Sequence, residues 1–148
     1  MGKSLPMILI RTIVAVVFIT EGALKFVYPE ELGAGRFAHI GLPYPHFLGP
    51  FVGGVEIAAG AAVLANFYAG DAALVLLAVI LTAIATTKVP ILLGRPLGPF
   101  APAKNVSHDG VAGFLHEART DLAMLFSLIA IAVDSGVRGG RKTRWYQR

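Results

Sequence analysis

Residues 71–93 read DAALVLLAVILTAIATTKVPILL, with Asp71 and Lys88 as the only charges. An amphipathic helix of a soluble domain would alternate an apolar stripe with a polar face, and this run has no such face. At a rise of about 1.5 Å per residue, some 20 apolar residues cross a hydrocarbon layer about 30 Å thick. The stretch therefore reads as a transmembrane helix, with Pro90 loosening only its final turn. Immediately before it, residues 47–67 (FLGPFVGGVEIAAGAAVLANF) are rich in Gly and Ala and contain one ionisable side chain, Glu56. Small residues are what close helix packing in lipid selects, and residues 66–71 leave room for only a tight hairpin. Residues 5–26 (LPMILIRTIVAVVFITEGALKF) form a third span. A secretory signal peptide is the rival reading, because Lys3 precedes the run, but Glu21 and Lys25 follow without a small-residue cleavage site. Residues 120–137 (TDLAMLFSLIAIAVDSGV) are just long enough for a fourth. The expected architecture is an all-α integral membrane four-helix bundle, one domain over residues 1–148, ending in a basic tail at 138–148.

Composition agrees. Of 148 residues, 55% are hydrophobic and 15% charged, against about a quarter charged in soluble domains, and the mean hydropathy is +0.69. The absence of cysteine excludes disulfides, thiolate zinc or iron–sulfur sites, c-type haem attachment and thiol relays. The net charge is +4, but five of the thirteen basic residues (Arg138, Arg141, Lys142, Arg144 and Arg148) lie in the tail. That pattern fits a membrane edge facing anionic lipid and not a nucleic-acid surface. Four spans put both termini on one side, and the positive-inside rule makes that side the cytoplasm, with Trp145 and Tyr146 as interfacial anchors. Arg36, Arg95 and Lys104 then fall in the outer loops, residues 27–46 and 94–118, of which the second is longer than a plain connection requires. The Asn105-Val106-Ser107 sequon reads as chance, and no internal repeat is present.

Arg11, Ala15, Phe18, Gly22 and Lys25 share one helical stripe, and Gly49, Gly53, Glu56 and Gly60 another. Both stripes should face into the bundle. Measured from the inner ends of the spans, Arg11 stands about 9 Å up and Glu56 about 16 Å. A long Arg side chain closes that gap, so Arg11–Glu56 is expected as a structural ion pair, with a proton or ligand site as the alternative. Glu21 at about 24 Å and Lys88 at about 25 Å share an outer level with Lys25. His116, Glu117, Arg119 and Asp121, at the start of the fourth span, join them. This outer cluster reads either as a binding site beneath the long loop or as snorkelling side chains at the interface. His39 and His46 are expected to be solvated. His108, Asp109, His116 and Glu117 are metal-ligating types, but their spacing matches no metal motif, and no metal is assigned.

Arg11, the Gly22-Ala23-Leu24-Lys25-Phe26 run, Gly41-Leu42-Pro43, and Gly53-Gly54-Val55-Glu56 followed by Gly60 together resemble the DoxX family of small four-helix membrane proteins of bacteria and archaea. The resemblance covers residues 8 to 93 well and the remainder loosely. Asp134-Ser135-Gly136 departs from the Ser-x-Asp-like element that often follows the last helix of the family, and the loop before that helix is enlarged.

The resemblance implies a quinone-linked oxidoreductase subunit in the cytoplasmic (inner) membrane, working with other membrane subunits or with copies of itself in the bilayer. On that reading Glu21, Lys25, Lys88, His116 and Asp121 are the candidate quinone-binding residues: Lys or His donates to quinone carbonyls, and a carboxylate exchanges protons. No haem is expected, because none of the four histidines lies within a span. Two other classes compete. A non-catalytic scaffold or assembly subunit needs only balanced internal charges and Gly/Ala faces, whereas a small-solute transporter would show broken helices or repeated halves with midplane polar sites, and only the lone Glu56 meets that description.

Overall fold

A computed structural model describes residues 4–102 and 108–145, with side chains through Gly136. Helix α1 (Leu5–Val27) opens on Pro6, whose fixed φ suits a first turn. After a bend at Tyr28 and Pro29 comes a short helix, α2 (Ala34–Ile40), closed by Gly41 at φ +92°, a left-handed conformation that glycine adopts without strain. Helix α3 (Pro45–Ala65) again starts on proline. Asn66 and Tyr68, both at positive φ, turn the chain within three residues into α4 (Ala69–Ala83). A π-turn (Ile84–Lys88) and a last helical turn, α5 (Val89–Leu93), complete that rod. Helix α6 (Gly110–Trp145) returns along it.

The long helices form an antiparallel ring: α1 packs most extensively on α3, α4 on α6 and α3 on α4, and α1 meets α6 to close it. Helix α2 lies on α3 alone among its larger contacts, covering one end of the bundle. The tightest approach is between α1 and α3, where a Cβ added to Gly22 would lie 2.5 Å from the Gly53 carbonyl oxygen. Val14, Phe18, Val63, Leu76, Ile80, Met124, Leu128 and Ile131 fill the core. Large apolar side chains also cover the outside, among them Ile13, Val16, Leu74, Phe126 and Val133. A water-facing surface would not carry such a continuous apolar coat. Three helices among the described residues, Leu5–Val27, Pro45–Ala65 and Ala69–Leu93, are long and apolar enough to cross a membrane.

The spans expected at 5–26, 47–67 and 71–93 thus coincide with helices to within two residues. Three expectations need correction. Residues 27–46 are not all loop, because α2 forms within them. The last helix begins at Gly110, ten residues before the expected 120, and continues through Trp145 into the expected tail. Pro90 disturbs more than a final turn: having no N–H, and crowding the Thr86 carbonyl four residues back, it is accommodated by the widened turn before it, where Val89 N–H bonds to Ile84 O. Lys104 and the Asn105-Val106-Ser107 sequon lie outside the described residues, as do the side chains of Arg138, Arg141, Lys142, Arg144, Trp145, Tyr146 and Arg148.

Candidate ligand cavity

The close crossing at Gly22 and Gly53 sets Lys25 of α1 beside Glu56 of α3. Lys25 Nζ donates to Glu56 Oε2 at 2.7 Å, with both side chains buried. The same ammonium donates to the Glu21 carbonyl at 3.3 Å and has Glu21 Oε2 at 3.9 Å. Two of its three protons are thus committed to hydrogen bonds, and the Glu21 carboxylate adds a longer ion-pair contact. On the facing wall, Lys88 at the end of the π-turn approaches Asp121 of α6, Nζ to Oδ2 at 3.7 Å. An ion withdrawn from water needs such a partner, because an uncompensated buried charge costs several kcal/mol.

Between these walls lies a cavity of about 560 Å³. Its polar lining comes from Glu21, Lys25, Arg36, Glu56, Lys88, Glu117, Asp121 and four threonines, Thr82, Thr86, Thr87 and Thr120. Val17, Phe18, Val52, Ile80 and Met124 supply an apolar floor toward the bundle centre, and Leu32 with Arg36, Phe37 and Ile40 of α2 lies over the top. Three of these hydroxyls donate to carbonyls one turn back: Thr82 to Ala78 at 2.8 Å, Thr86 to Thr82 at 2.8 Å and Thr87 to Ala83 at 2.6 Å. Glu117 makes no ion pair among the described residues.

Glu21, Lys25, Lys88 and Asp121, grouped by depth in the sequence, do meet around one space. His116 does not join them: its side chain is exposed and is absent from the lining, and its carbonyl accepts a hydrogen bond from Arg119. His39, His46 and His108 are exposed as well. Among the described residues, no three His, Cys, Asp or Glu side chains are grouped to hold a metal ion.

The expected Arg11–Glu56 pair is replaced by two others, Lys25–Glu56 and Arg11–Asp134, the latter at 3.5 Å between Nη2 and Oδ2 near the far end of the bundle. Register is the reason. Aligning helix ends put Arg11 and Glu56 about 7 Å apart in height. In the structure Gly22 abuts Gly53 and Gly60 abuts Ile19, so Glu56 stands level with about residue 21 of α1, roughly 15 Å above Arg11. Side chains on a helix also lean toward its N-terminus. In antiparallel neighbours Lys25 and Glu56 lean toward one another, while Arg11 leans away.

Sequence reasoning missed the four threonines and the part played by α2. Thr82 and Thr86 stand four apart ahead of a Lys-x-Pro, and Leu32, Arg36, Phe37 and Ile40 have helical spacing. The Gly and Pro residues around the latter masked the pattern.

The arrangement can be set beside known proteins. The DoxX family profile matches residues 7–89, a range that contains Arg11, Lys25, Glu56 and Lys88 and excludes α6 with Asp121 and Asp134. An uncharacterized membrane protein of Mycobacterium tuberculosis is 41% identical over 122 residues, which is 82% of this chain and 70% of that protein. No solved structure matches. With more than half the chain inside the family profile and three helices long and apolar enough to cross a membrane, this protein is a multi-pass integral membrane member of the DoxX family.

Proposed function

We propose that this chain is the membrane subunit of a quinone-linked oxidoreductase complex and that its cavity receives the quinone head group. The observation that carries the reading is a cavity of about 560 Å³ with a Lys–carboxylate pair on each of two facing walls and an apolar floor below them. Ligand sites of this size combine apolar walls with a few placed polar groups. Lys88 is the donor for a ring carbonyl, since Asp121 engages it at only 3.7 Å. Asp121 and Glu117, one turn apart on α6, exchange the protons that accompany reduction or oxidation of the ring. The electrons pass to or from a redox centre on a partner subunit. In this reading α6 makes the fourth crossing, both termini face the cytoplasm of a bacterium, and the cavity opens toward the outer side.

A scaffold role is the second reading, favoured by the internal neutralisation of Lys25, Glu56 and Arg11, charges that fix helix register whether or not a ligand binds. Purification from native membrane in mild detergent, followed by solvent extraction, separates the two. Quinone that co-purifies with the wild-type protein and is lost from a folded Lys88→Met variant supports the site. A complex without quinone, whose electron transfer is untouched by Lys88→Met, refutes it in favour of the scaffold.

A further inference from the structure

Leu76 and Ile80 of α4 are buried in the core, and Ala78, two residues from each, therefore lies on the opposite side of the helix. There it shares an outward stripe with Leu74 and Leu81, both large, apolar and exposed. Yet Ala78 also lines the cavity, as does Thr82 one turn on, and both are exposed. The α3/α4 hairpin turns at residues 66–68, which sets Leu48 and Val52, the cavity-lining residues of α3, across the seam from them. The one charge on this side is Glu56, tied to Lys25 at 2.7 Å, and the Thr82 hydroxyl is turned back to the Ala78 carbonyl. The other charged lining residues, Glu21, Lys25, Arg36, Lys88, Glu117 and Asp121, come with Thr120 from α1, α2, the end of the π-turn and α6. The cavity is thus charged toward α6 and α2 and apolar where it meets the α3/α4 seam.

We infer that the α3/α4 seam at Val52, Ala78 and Thr82 is a lateral opening to the membrane, through which a ligand enters and its hydrocarbon tail stays in lipid while its polar head lies among the charged walls. This rests on the reading of the cavity as a head-group site and adds the path by which the site is reached. Counted from the start of α4 at Ala69, Ala78 stands about 14 Å and Thr82 about 20 Å into a hydrocarbon layer about 30 Å thick. The opening therefore meets acyl chains and not lipid head groups. Ala78 makes the gap, a methyl between two exposed leucines of the same stripe. The other ways in suit a tail poorly. Over the top, α2 is seated on α3 through Gly49, where an added Cβ would lie 2.7 Å from the Ala34 nitrogen, and its closing Gly41 lies against Pro99, 2.8 Å from added Cβ to carbonyl oxygen. Between α1 and α6, a tail would have to cover Glu21, Glu117 and Thr120, and shutting water away from polar groups without giving them a hydrogen bond is costly.

The test uses the full-length protein in lipid nanodiscs and a decyl-substituted benzoquinone whose tail ends in a diazirine. After illumination, mass spectrometry locates the attached tail. Label on α3 and α4 near Val52 and Thr82 that an excess of the untagged decyl compound displaces is the expected result. Displaceable label on α2, or on α1 and α6 near Val17 and Thr120, would overturn the inference while leaving the quinone reading intact. Label that the untagged compound displaces nowhere would overturn both. Ala78→Phe plugs the opening from the lipid side and should weaken binding of the decyl compound roughly tenfold, while the same ring without a tail stays within about threefold of wild type. Leu74→Phe, on the same stripe one turn away, should change neither. Equal weakening of both compounds by Ala78→Phe, or weakening of neither, also counts against the opening. The position of the displaceable label decides the matter even if Ala78→Phe does not fold.

Discussion

The Lys25–Glu56 pair allows a prediction whose asymmetry comes from geometry. Removing Lys25 with Lys25→Met strands Glu56, which is 5% exposed and whose one hydrogen-bonded or ion-paired partner among the described residues is that ammonium at 2.7 Å. Breaking a buried pair in this way costs about 3–5 kcal/mol. Removing the other member with Glu56→Gln leaves Lys25 with the Glu21 carbonyl at 3.3 Å and the Glu21 carboxylate at 3.9 Å, and the amide can still accept a hydrogen bond. That loss should be roughly 1–2 kcal/mol, the scale of one charge-assisted hydrogen bond weakened and not abolished. The double variant buries no unpaired charge and should cost about as much as Glu56→Gln alone. The coupling then equals the full cost of Lys25→Met, about 3–5 kcal/mol, far above what exposed pairs show. Unfolding by SDS in mixed micelles, followed by circular dichroism, measures all four corners of the cycle. Additivity within about 0.5 kcal/mol, or a larger loss for Glu56→Gln than for Lys25→Met, would refute the pairing and the argument that Glu21 is the fallback.

Three further outcomes follow from the packing. The same assay should show Arg11→Gln and Asp134→Asn to be non-additive, whereas Arg11→Gln and Glu56→Gln, about 15 Å apart in height, should add. Gly22→Ala should destabilise by about 1–3 kcal/mol despite alanine's better helix propensity, because the new methyl meets the Gly53 carbonyl at 2.5 Å; Gly54→Ala, with open space around it, should be neutral or stabilising by up to about 1 kcal/mol. Pro90→Ala should let residues 84–88 return to α-helical pitch and turn Lys88 away from Asp121. A Lys88→Met/Asp121→Asn cycle should then lose its coupling, about 1 kcal/mol in the Pro90 protein, in the Pro90→Ala background; an unchanged value would show that Pro90 does not cause the π-turn.

Helices were legible because lipid imposes one simple demand: a run must be apolar and about 20 residues long, and residues 5–26, 47–67 and 71–93 meet it without tertiary help. The start of α6 was hidden because residues 110–119 carry two glycines and the polar His116, Glu117 and Arg119, too many interruptions for the uniform apolar run by which a span is read, although α6 packs there on α5 and the π-turn. Helix α2 was hidden for a related reason. Seven residues flanked by Gly33 and Gly41 read as loop, and only the cavity side chains beneath Phe37 and Ile40 give the segment something to cover. Depth along the spans was enough to gather Glu21, Lys25, Lys88 and Asp121. Who pairs with whom required the register between α1 and α3, which the glycine contact sets and which no count from the helix ends supplies.

That register also explains why there is a cavity. Near α2 both ion pairs form within a wall, Lys25 with Glu56 across α1 and α3, and Lys88 with Asp121 across the α4 rod and α6. Among the described residues none bridges from one wall to the other at this level. At the far end the opposite holds, since Arg11 of α1 joins Asp134 of α6 and draws the two walls together. A cross-cavity pair near α2 would have to be broken by any ligand, at the several kcal/mol an uncompensated buried charge exacts. With each charge satisfied on its own side, the space between walls is held open without that cost, and a polar ring can enter it while the pairs stay intact. The bundle is thus fastened where Arg11 and Asp134 meet and left apart where the threonines and carboxylates face each other, a distribution of charge that suits the proposed ligand site.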